Sequence, residues 1–476
     1  MAFRREIATL RRLLHYKSFF VGVILIAFFA ALSIYAMVTW PYDEAIYKWN
    51  SPESWLEYPS YAKPSWITMF TGTRELEGSL VLDSSISQGF SKHRQVIERF
   101  GTPFAVIGLM RGTVEYNYDD FPSKVAYKLF ISTNDTVYVN ITWRKPSGIS
   151  VPIDTGYYRG GVKFASIEVK PGEIPTYLLS YVDQVEKIYG VKLNPAALDP
   201  LKVLFADEDY LAKSGKYRLL KGTYELRLET WSGDINSTLE VRLIIYGTSY
   251  GLAGTDRLGR DLFMAIAWGA PIAISFGLTA SLLTVLLEMI IAAISAWFGG
   301  IIDTVIQRVN ETFMILPFLP TIIMLWLFYG FTLWTLLWII VLFNAWSGGL
   351  KSMRAMFLQI KEMPYIEAAR AYGAGNFRII FRYMVPRVLP VLIPNIVTAI
   401  PNFVFLEAAL AILGISDPRV ITWGKVLDEA YKYAALPQGY YHWILAPALM
   451  LFLMAIAFAS IGFTLDRVFN PRLREV

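Results

Sequence analysis

Apolar runs of bilayer length constrain this chain more than any other feature it has. From about Phe19 to Trp40 no charged side chain interrupts the sequence, and Trp40-Pro41 closes the run. About 20 apolar residues in a helix cross a hydrocarbon core. Inside hydrocarbon an open segment other than a helix leaves its backbone unsatisfied. Further spans are expected at about Pro271–Phe298, Phe313–Phe331, Leu333–Ser347, Pro390–Leu413 and His442–Leu465, with Gly330 and Thr332 alone separating the third from the fourth. Hydrophobic residues make up 55% of the 476 and charged residues 17%, and the mean hydropathy is +0.41. The expected fold class is an α-helical polytopic membrane protein with six transmembrane helices.

Charge orients the spans. Arg4, Arg5, Arg11, Arg12 and Lys17 precede the first run, against the single acid Glu6. The positive-inside rule places residues 1–18 in the cytoplasm as an N-terminal segment, with 19–40 as the first transmembrane helix. A cleaved signal peptide fits less well, because the run is long and lacks a small-x-small exit. Six crossings return the C-terminus to the cytoplasm. Lys351, Arg354, Lys361, Arg370, Arg378, Arg382, Arg387, Arg467, Arg472 and Arg474 then fall inside, so the net charge of +5 reflects orientation rather than nucleic-acid binding.

Residues 41–252 read as an extracellular insertion with its own β-rich core. Val137, Val139, Ile141 and Trp143 alternate with polar neighbours, as do Tyr224, Leu226 and Leu228. After Ser232-Gly233-Asp234 the alternation resumes at Leu239, Val241, Leu243 and Ile245, which predicts a hairpin. One amphipathic helix is expected over Thr176–Tyr189, with Tyr177, Leu178, Tyr181, Val182, Val185 and Ile188 on one face. A sandwich carrying one helix accommodates these elements. Asn134, Asn140 and Asn236 head glycosylation triplets here, while Asn310, on the expected cytoplasmic side, should stay unmodified. The insertion reads equally well as decoration or as a docking platform or lid.

Composition removes several chemistries. The chain has no Cys, and His15, His93 and His442 are scattered, which argues against a histidine-based metal centre. No G-x-x-x-x-G-K-[ST] phosphate loop occurs. No Ser/His/Asp or paired-carboxylate arrangement stands out in the insertion.

Two motifs carry the functional reading. Residues 253–476 form the expected transmembrane core, and within them the polar, Arg-rich stretch 351–387 contains Tyr365–Arg387. Here Glu367-Ala368-Ala369-Arg370 and Gly373-Ala374 form E-A-A-x-x-x-G, with Pro386 beyond. Small alanines permit close helix approach, Glu367 suits the start of a helix, and Gly373 lets the backbone leave it. The stretch resembles the ATPase-docking loop of ABC importer permeases. Before the second span stands Gly254-Thr255-Asp256-Arg257-Leu258-Gly259-Arg260-Asp261. Thr255 and Asp256 read as N-caps of a short interfacial helix, with Arg260 and Asp261 anchoring it among head groups. This string resembles the signature of the dipeptide/oligopeptide ABC permease family, C-type subunit.

The resemblance extends through Gly299-Gly300, Asp303, Arg308, Glu311, Glu407–Gly414 and Trp423-Gly424 to Asn470-Pro471-Arg472. It implies a type I importer permease that transports peptides in complex with a second homologous permease, two ATPase subunits and an extracellular solute-binding protein. ATP and magnesium would be bound by the ATPases, with no cofactor and no catalysis in this chain. The inserted domain departs from the pattern, as does Tyr383-Met384-Val385-Pro386 where permeases carry I-x-L-P. Glu288 and Glu407 sit inside spans, where a carboxyl either lines the path or bonds to a neighbouring helix. The rival readings are oligosaccharide import by the same machinery, a membrane-anchored extracellular enzyme or adhesin, and an ATP-independent channel or secondary transporter.

Overall fold

The computed structural model describes residues 16–86, 90–99, 102–167 and 174–469. The basic residues before Tyr16 and the ending at Asn470-Pro471-Arg472 lie outside that range. The chain divides into two compact units, Met1–Asn50 with Leu262–Val476, and Ser51–Asp261. The division falls some residues later than the 41–252 read from composition, because Tyr42–Asn50 is a helix of the membrane unit.

Among the described residues of the membrane unit, four helices are long and apolar enough to cross a bilayer, or up to six if each bent pair counts as one span. The unbroken four are Lys17–Thr39, Leu262–Phe298, Asn376–Ile412 and Tyr441–Val468. The third expected span, Phe313–Phe331, is not one straight helix. Gly300–Ile315 and Phe318–Tyr329 meet at 81°, because Pro317 cannot continue the preceding helix. The fourth, expected over Leu333–Ser347, is the helix Leu333–Ala345, which continues after a 50° bend as Gly348–Lys361.

Small residues let the helices approach. A side chain at Gly277 would come within 2.9 Å of the Ile400 carbonyl, and one at Gly22 within 2.9 Å of the Ala457 carbonyl. Contacts of this closeness give dispersion and packing their weight where no water drives association. The Ser281 hydroxyl adds a bond of 2.5 Å to the Ile396 carbonyl, on a helix that carries Pro390, Pro394 and Pro401 in its interior.

The inserted unit is one hydrogen-bonded sheet among the described residues. Its strands are β1 (Ser79–Asp83), β2 (Phe90–Arg99), β3 (Thr102–Tyr116), β4 (Lys124–Arg144), β5 (Ser150–Ser166), β6 (Gly222–Ser232) and β7 (Thr238–Tyr246). Their order is β1-β7-β4-β6-β3-β2, with β5 on β4. The sheet is continuous, where two separate sheets of a sandwich were expected.

The expected hairpin is absent too. β6 and β7 do not pair with each other; both lie antiparallel along β4, with Ser232 opposite Val137 and Thr238 opposite Ser132. The turn between them bulges where β4 is itself irregular against β5, between Ile131 and Thr136. Asp234 holds the two irregularities together. Its Oδ2 accepts from the Asn134 amide at 2.8 Å and its Oδ1 from the Asn236 amide at 2.9 Å.

The alternating residues of β4, β6 and β7 face one core, and Tyr177, Leu178, Tyr181, Val182 and Val185 of the Thr176–Tyr189 helix pack on it. Ile188 is 60% exposed, at the last turn beyond that contact. Lys145 is buried in the same region, paired with Glu208 and donating to the Val203 carbonyl at 2.7 Å.

Candidate functional site

The E-A-A stretch forms a short helix, Pro364–Ala371, with proline at its first turn and Glu367 within that turn. Proline suits a helix start because its missing N–H would be unpaired there. The helix ends in a Schellman motif: the Ala374 amide donates to the Ala369 carbonyl at 3.0 Å and the Gly373 amide to the Arg370 carbonyl at 2.9 Å. Gly373 takes φ +78°, the left-handed conformation this closure requires and glycine adopts without a Cβ penalty. The expected role of Gly373 in turning the chain is visible in these bonds.

One face of this helix is docked and the other is free. Ile366 is 0% exposed and Ala369 7%, and both join a cluster with Met289, Ala293, Trp297, Phe357 and Ile380. Burying Ile366 is worth about 1.5–3 kcal/mol. Glu367, Ala368, Arg370, Gly373 and Pro386 are exposed, and Ala374 is half-buried. Tyr372, 92% exposed, and Phe377, 66% exposed, add apolar area beside them. Arg370 lies over the Trp297 ring, 4.4 Å from its centroid. The Lys361 ammonium donates to the carbonyls of Ala296 and Trp297, both at 2.9 Å, at the end of the Leu262–Phe298 helix where a cation is favoured. Arg354 clasps Asp303 through two nitrogens. The Pro364–Ala371 helix is therefore fixed to the second long helix through Ile366, Ala369 and Arg370, and the helix before it through Lys361.

Glu288 and Glu407 are both buried, and each is held against the start of a following helix. The Ser347 hydroxyl donates to Glu288 Oε1 at 2.8 Å, while accepting from the Gly349 amide as N-cap of Gly348–Lys361. A side chain at Gly349 would stand 2.4 Å from Glu288 Oε1. Glu407 repeats the arrangement with Thr422, its hydrogen-bond partner and N-cap of Trp423–Lys432. A side chain at Gly424 would stand 3.0 Å from Glu407 Oε2. Of the two roles open to these carboxyls, this geometry favours bonding to a neighbouring helix. Asn310, fully buried, donates to the Ser347 carbonyl at 3.3 Å. Ser347, Gly349 and Thr422 were not foreseen as partners of these carboxyls, and Gly424 entered only through the Trp423-Gly424 resemblance; the S-G-G and T-W-G strings after apolar runs were the available signal.

The second motif belongs to the inserted unit and forms a compact turn in place of the expected interfacial helix. Asp256 Oδ1 accepts from the amides of Leu258, at 2.8 Å, and Arg260, at 2.9 Å, and its other oxygen pairs with the Arg260 guanidinium. Arg260 is 6% exposed, so it closes this turn and does not reach head groups. Thr255 caps no helix either: its hydroxyl donates to the Pro59 carbonyl at 2.6 Å and accepts from the Ala62 amide at 2.9 Å. Gly254 and Gly259 both have positive φ, and a side chain at Gly259 would meet the Tyr58 carbonyl at 2.7 Å. Asp261 bridges back to Thr255. Short polar residues that bond their own backbone favour such turns over helices. Of the three sequons, Asn134 and Asn236 are exposed at the β4 irregularity and the β6–β7 turn, whereas the Asn140 amide is engaged with Glu229 and Thr155 on the sheet.

Residues 288–475 match the family described as binding-protein-dependent transport system inner membrane component. The dipeptide transport system permease protein DppC of Bacillus subtilis is 30% identical over 223 residues, which cover 47% of this chain and 69% of that protein. A putative peptide permease protein of Brucella suis is 31% identical over 221 residues, 46% of this chain and 72% of that protein. This chain belongs to the ABC importer permease family. The oligopeptide transport system permease protein OppC of Bacillus subtilis is similar too, 29% identical over 224 residues and covering 72% of that protein. The permease is accordingly a multi-pass membrane subunit without catalysis of its own, ATP hydrolysis in such transporters being done by separate subunits. The Ser51–Asp261 unit is mostly additional to the matched permease region.

Proposed function

We propose that this permease forms half of the translocation path of an ATP-driven peptide importer and receives its motion through the helix Pro364–Ala371. The observation that carries this reading is the division of that helix, with Ile366 and Ala369 fixed inward and Glu367, Ala368 and Tyr372 offered outward. A partner that grips the outward face moves a short rigid element joined to Leu262–Phe298. Rocking of that long helix, with its neighbours, exposes the path alternately to each side. The partners are a second homologous permease, two ATPase subunits that hold ATP and magnesium, and a solute-binding protein. Both termini lie in the cytoplasm and the Ser51–Asp261 unit lies outside. Peptide is the cargo favoured by the names of the relatives.

The test is uptake of labelled dipeptides and longer peptides into proteoliposomes holding the complete transporter. Glu367→Ala should lower uptake and the recovery of ATPase subunits on the purified permease, with membrane insertion unchanged. Normal uptake by that variant, or labelling of a cysteine at Ala368 from the outer side only, overturns the reading. Competition by oligosaccharides and not by peptides would reassign the cargo.

A further inference from the structure

Trp66, Met69 and Phe70 of the inserted unit are 47%, 82% and 83% exposed. They lie on the helical turns Ser65–Ile67 and Thr68–Thr71, closed by Gly72. Spacing of three and four residues puts all three on one face, and the Trp66 and Phe70 rings meet edge-on at 6.2 Å. The indole N–H is already satisfied, donating to the Leu252 carbonyl at 2.9 Å, and Leu252 adds a side chain that is 63% exposed. The polar residues beneath are paired with one another: Lys63 with Glu75 at 2.7 Å and Ser65 with Glu77 at 2.5 Å.

We infer that this patch is a membrane-surface anchor, seated in the head-group and acyl boundary of the bilayer that the spans cross. Chain connectivity selects lipid over a protein partner. The turns are strapped to the segment leading into the second long helix: the Tyr61 amide donates to the Asp256 carbonyl, Lys63 to Thr248, Ser65 to Gly251 and Tyr250 to Lys63, all between 2.8 and 3.0 Å. From Leu252 to the start of that helix at Leu262 is a stretch partly folded into the Asp256–Arg260 turn, and even extended it reaches only about 35 Å. A large apolar group tethered this close to hydrocarbon gains by burial there. Tryptophan with phenylalanine and methionine on one helical face is the composition that interfacial segments use.

The anchor is independent of transport, so it can be tested without ATPases. It does rest on the proposal that residues 16–50 and 262–469 cross the bilayer, and a control for that is included. Because the chain contains no cysteine, Met69→Cys and Lys192→Cys each give the full-length permease a single labelling site. A cysteine replacing Leu449, half exposed on the last long helix, serves as the membrane reference. Each variant carries an environment-sensitive fluorophore in nanodiscs, with nitroxide lipids or iodide as quenchers. The label at residue 69 should be quenched several-fold more by shallow nitroxide lipids than the label at 192, and protected from iodide. Equal iodide access at 69 and 192, with the 449 label quenched by lipid, overturns the anchor and leaves the permease reading standing; that outcome covers a patch reserved for a soluble protein. Met69→Asp/Phe70→Asp, with a label at Thr73→Cys, should lose the lipid quenching seen in the parent Thr73→Cys chain.

Discussion

The hydroxyl of Ser347 donates to Glu288 Oε1 at 2.8 Å, across the 50° break between Leu333–Ala345 and Gly348–Lys361. A carboxyl of the second long helix thereby holds the start of the helix that leads to Pro364–Ala371. Thr422 and Glu407 do the same at Trp423–Lys432. In both places a glycine leaves room for the carboxyl oxygen, and the oxygen lies where helix amides concentrate positive potential.

Gly349→Ala should therefore be costly although alanine favours helices. Its Cβ would fall 2.4 Å from Glu288 Oε1, an overpacking worth about 1–3 kcal/mol. The melting temperature of the purified permease in detergent should drop, and Glu288→Gln, which keeps the shape and the acceptor, should cost less than Glu288→Ala. An unchanged melt for Gly349→Ala counts against the clamp.

At the end of Pro364–Ala371, Gly373→Ala forces a side chain into φ +78°, at about 1–2 kcal/mol. Hydrogen exchange at the amides of Gly373 and Ala374 should quicken, since they close the helix end. Peptide uptake by the assembled transporter should fall, while exchange in the Ser51–Asp261 unit stays as it was.

Removing one member of the Lys145–Glu208 pair should be severe and removing both mild. Lys145→Met leaves a buried carboxylate without its partner, at about 3–5 kcal/mol, whereas Lys145→Met with Glu208→Leu should be near neutral. Burial pushes the Lys145 ammonium from 10.5 down to about 8, against the opposing pull of Glu208. Between those values the unfolded chain keeps a proton that the folded chain has released, so this group adds stability as pH rises through that window. Hydrogen exchange of β4 in the full-length protein, followed from pH 7 to 10, should show that gain in the parent and not in the double variant.

Asp234 is the corresponding acid-side group. The Asn134 amide, then the Asn236 amide, hold its carboxyl below the usual carboxylate range. Its contribution is present above the ordinary value and is lost as pH falls through the lowered one. Protection at residues 133–137 and 233–237, taken relative to intrinsic exchange at each pH, should fall in acid, and Asp234→Ala should show that loss already at neutral pH.

If the permease is glycosylated at all, Asn134 and Asn236 should carry the sugar in preference to Asn140, whose amide is held by Glu229 and lies on the sheet. Mass spectrometry after glycosidase treatment in heavy-oxygen water reads the sites directly. Occupancy at Asn140 alone would contradict this order.

What could be read from the residues was what is local. Apolar runs and their flanking charges located the membrane helices, and E-A-A-x-x-x-G carried the bonds of a helix end within itself. The break at Pro317 was hidden because the residues immediately beside it, Phe313–Leu316 and Phe318–Leu319, are all apolar. The Ser232-Gly233-Asp234 turn was recognised, but its strands choose β4, whose 21 residues offer an edge long enough for both; no local pattern specifies that pairing. The N-cap signal of Thr255 misleads because its partners, Pro59 and Ala62, lie far away in sequence, and that of Asp256 because the nearby Leu258 and Arg260 amides it accepts from close a turn and not a helix. Glu288 and Glu407 were seen as unusual, while the hydroxyls and glycines that explain them became visible only in three dimensions.

Thr255, joined to both Pro59 and Ala62, pins the closing stretch of the Ser51–Asp261 unit to its opening stretch. The polypeptide thus comes and goes through one doorway, as at sites where whole domains are accepted between existing elements. A single genetic event could excise or transplant the module, and its ancestors need not have shared a history with the transporter that now carries it.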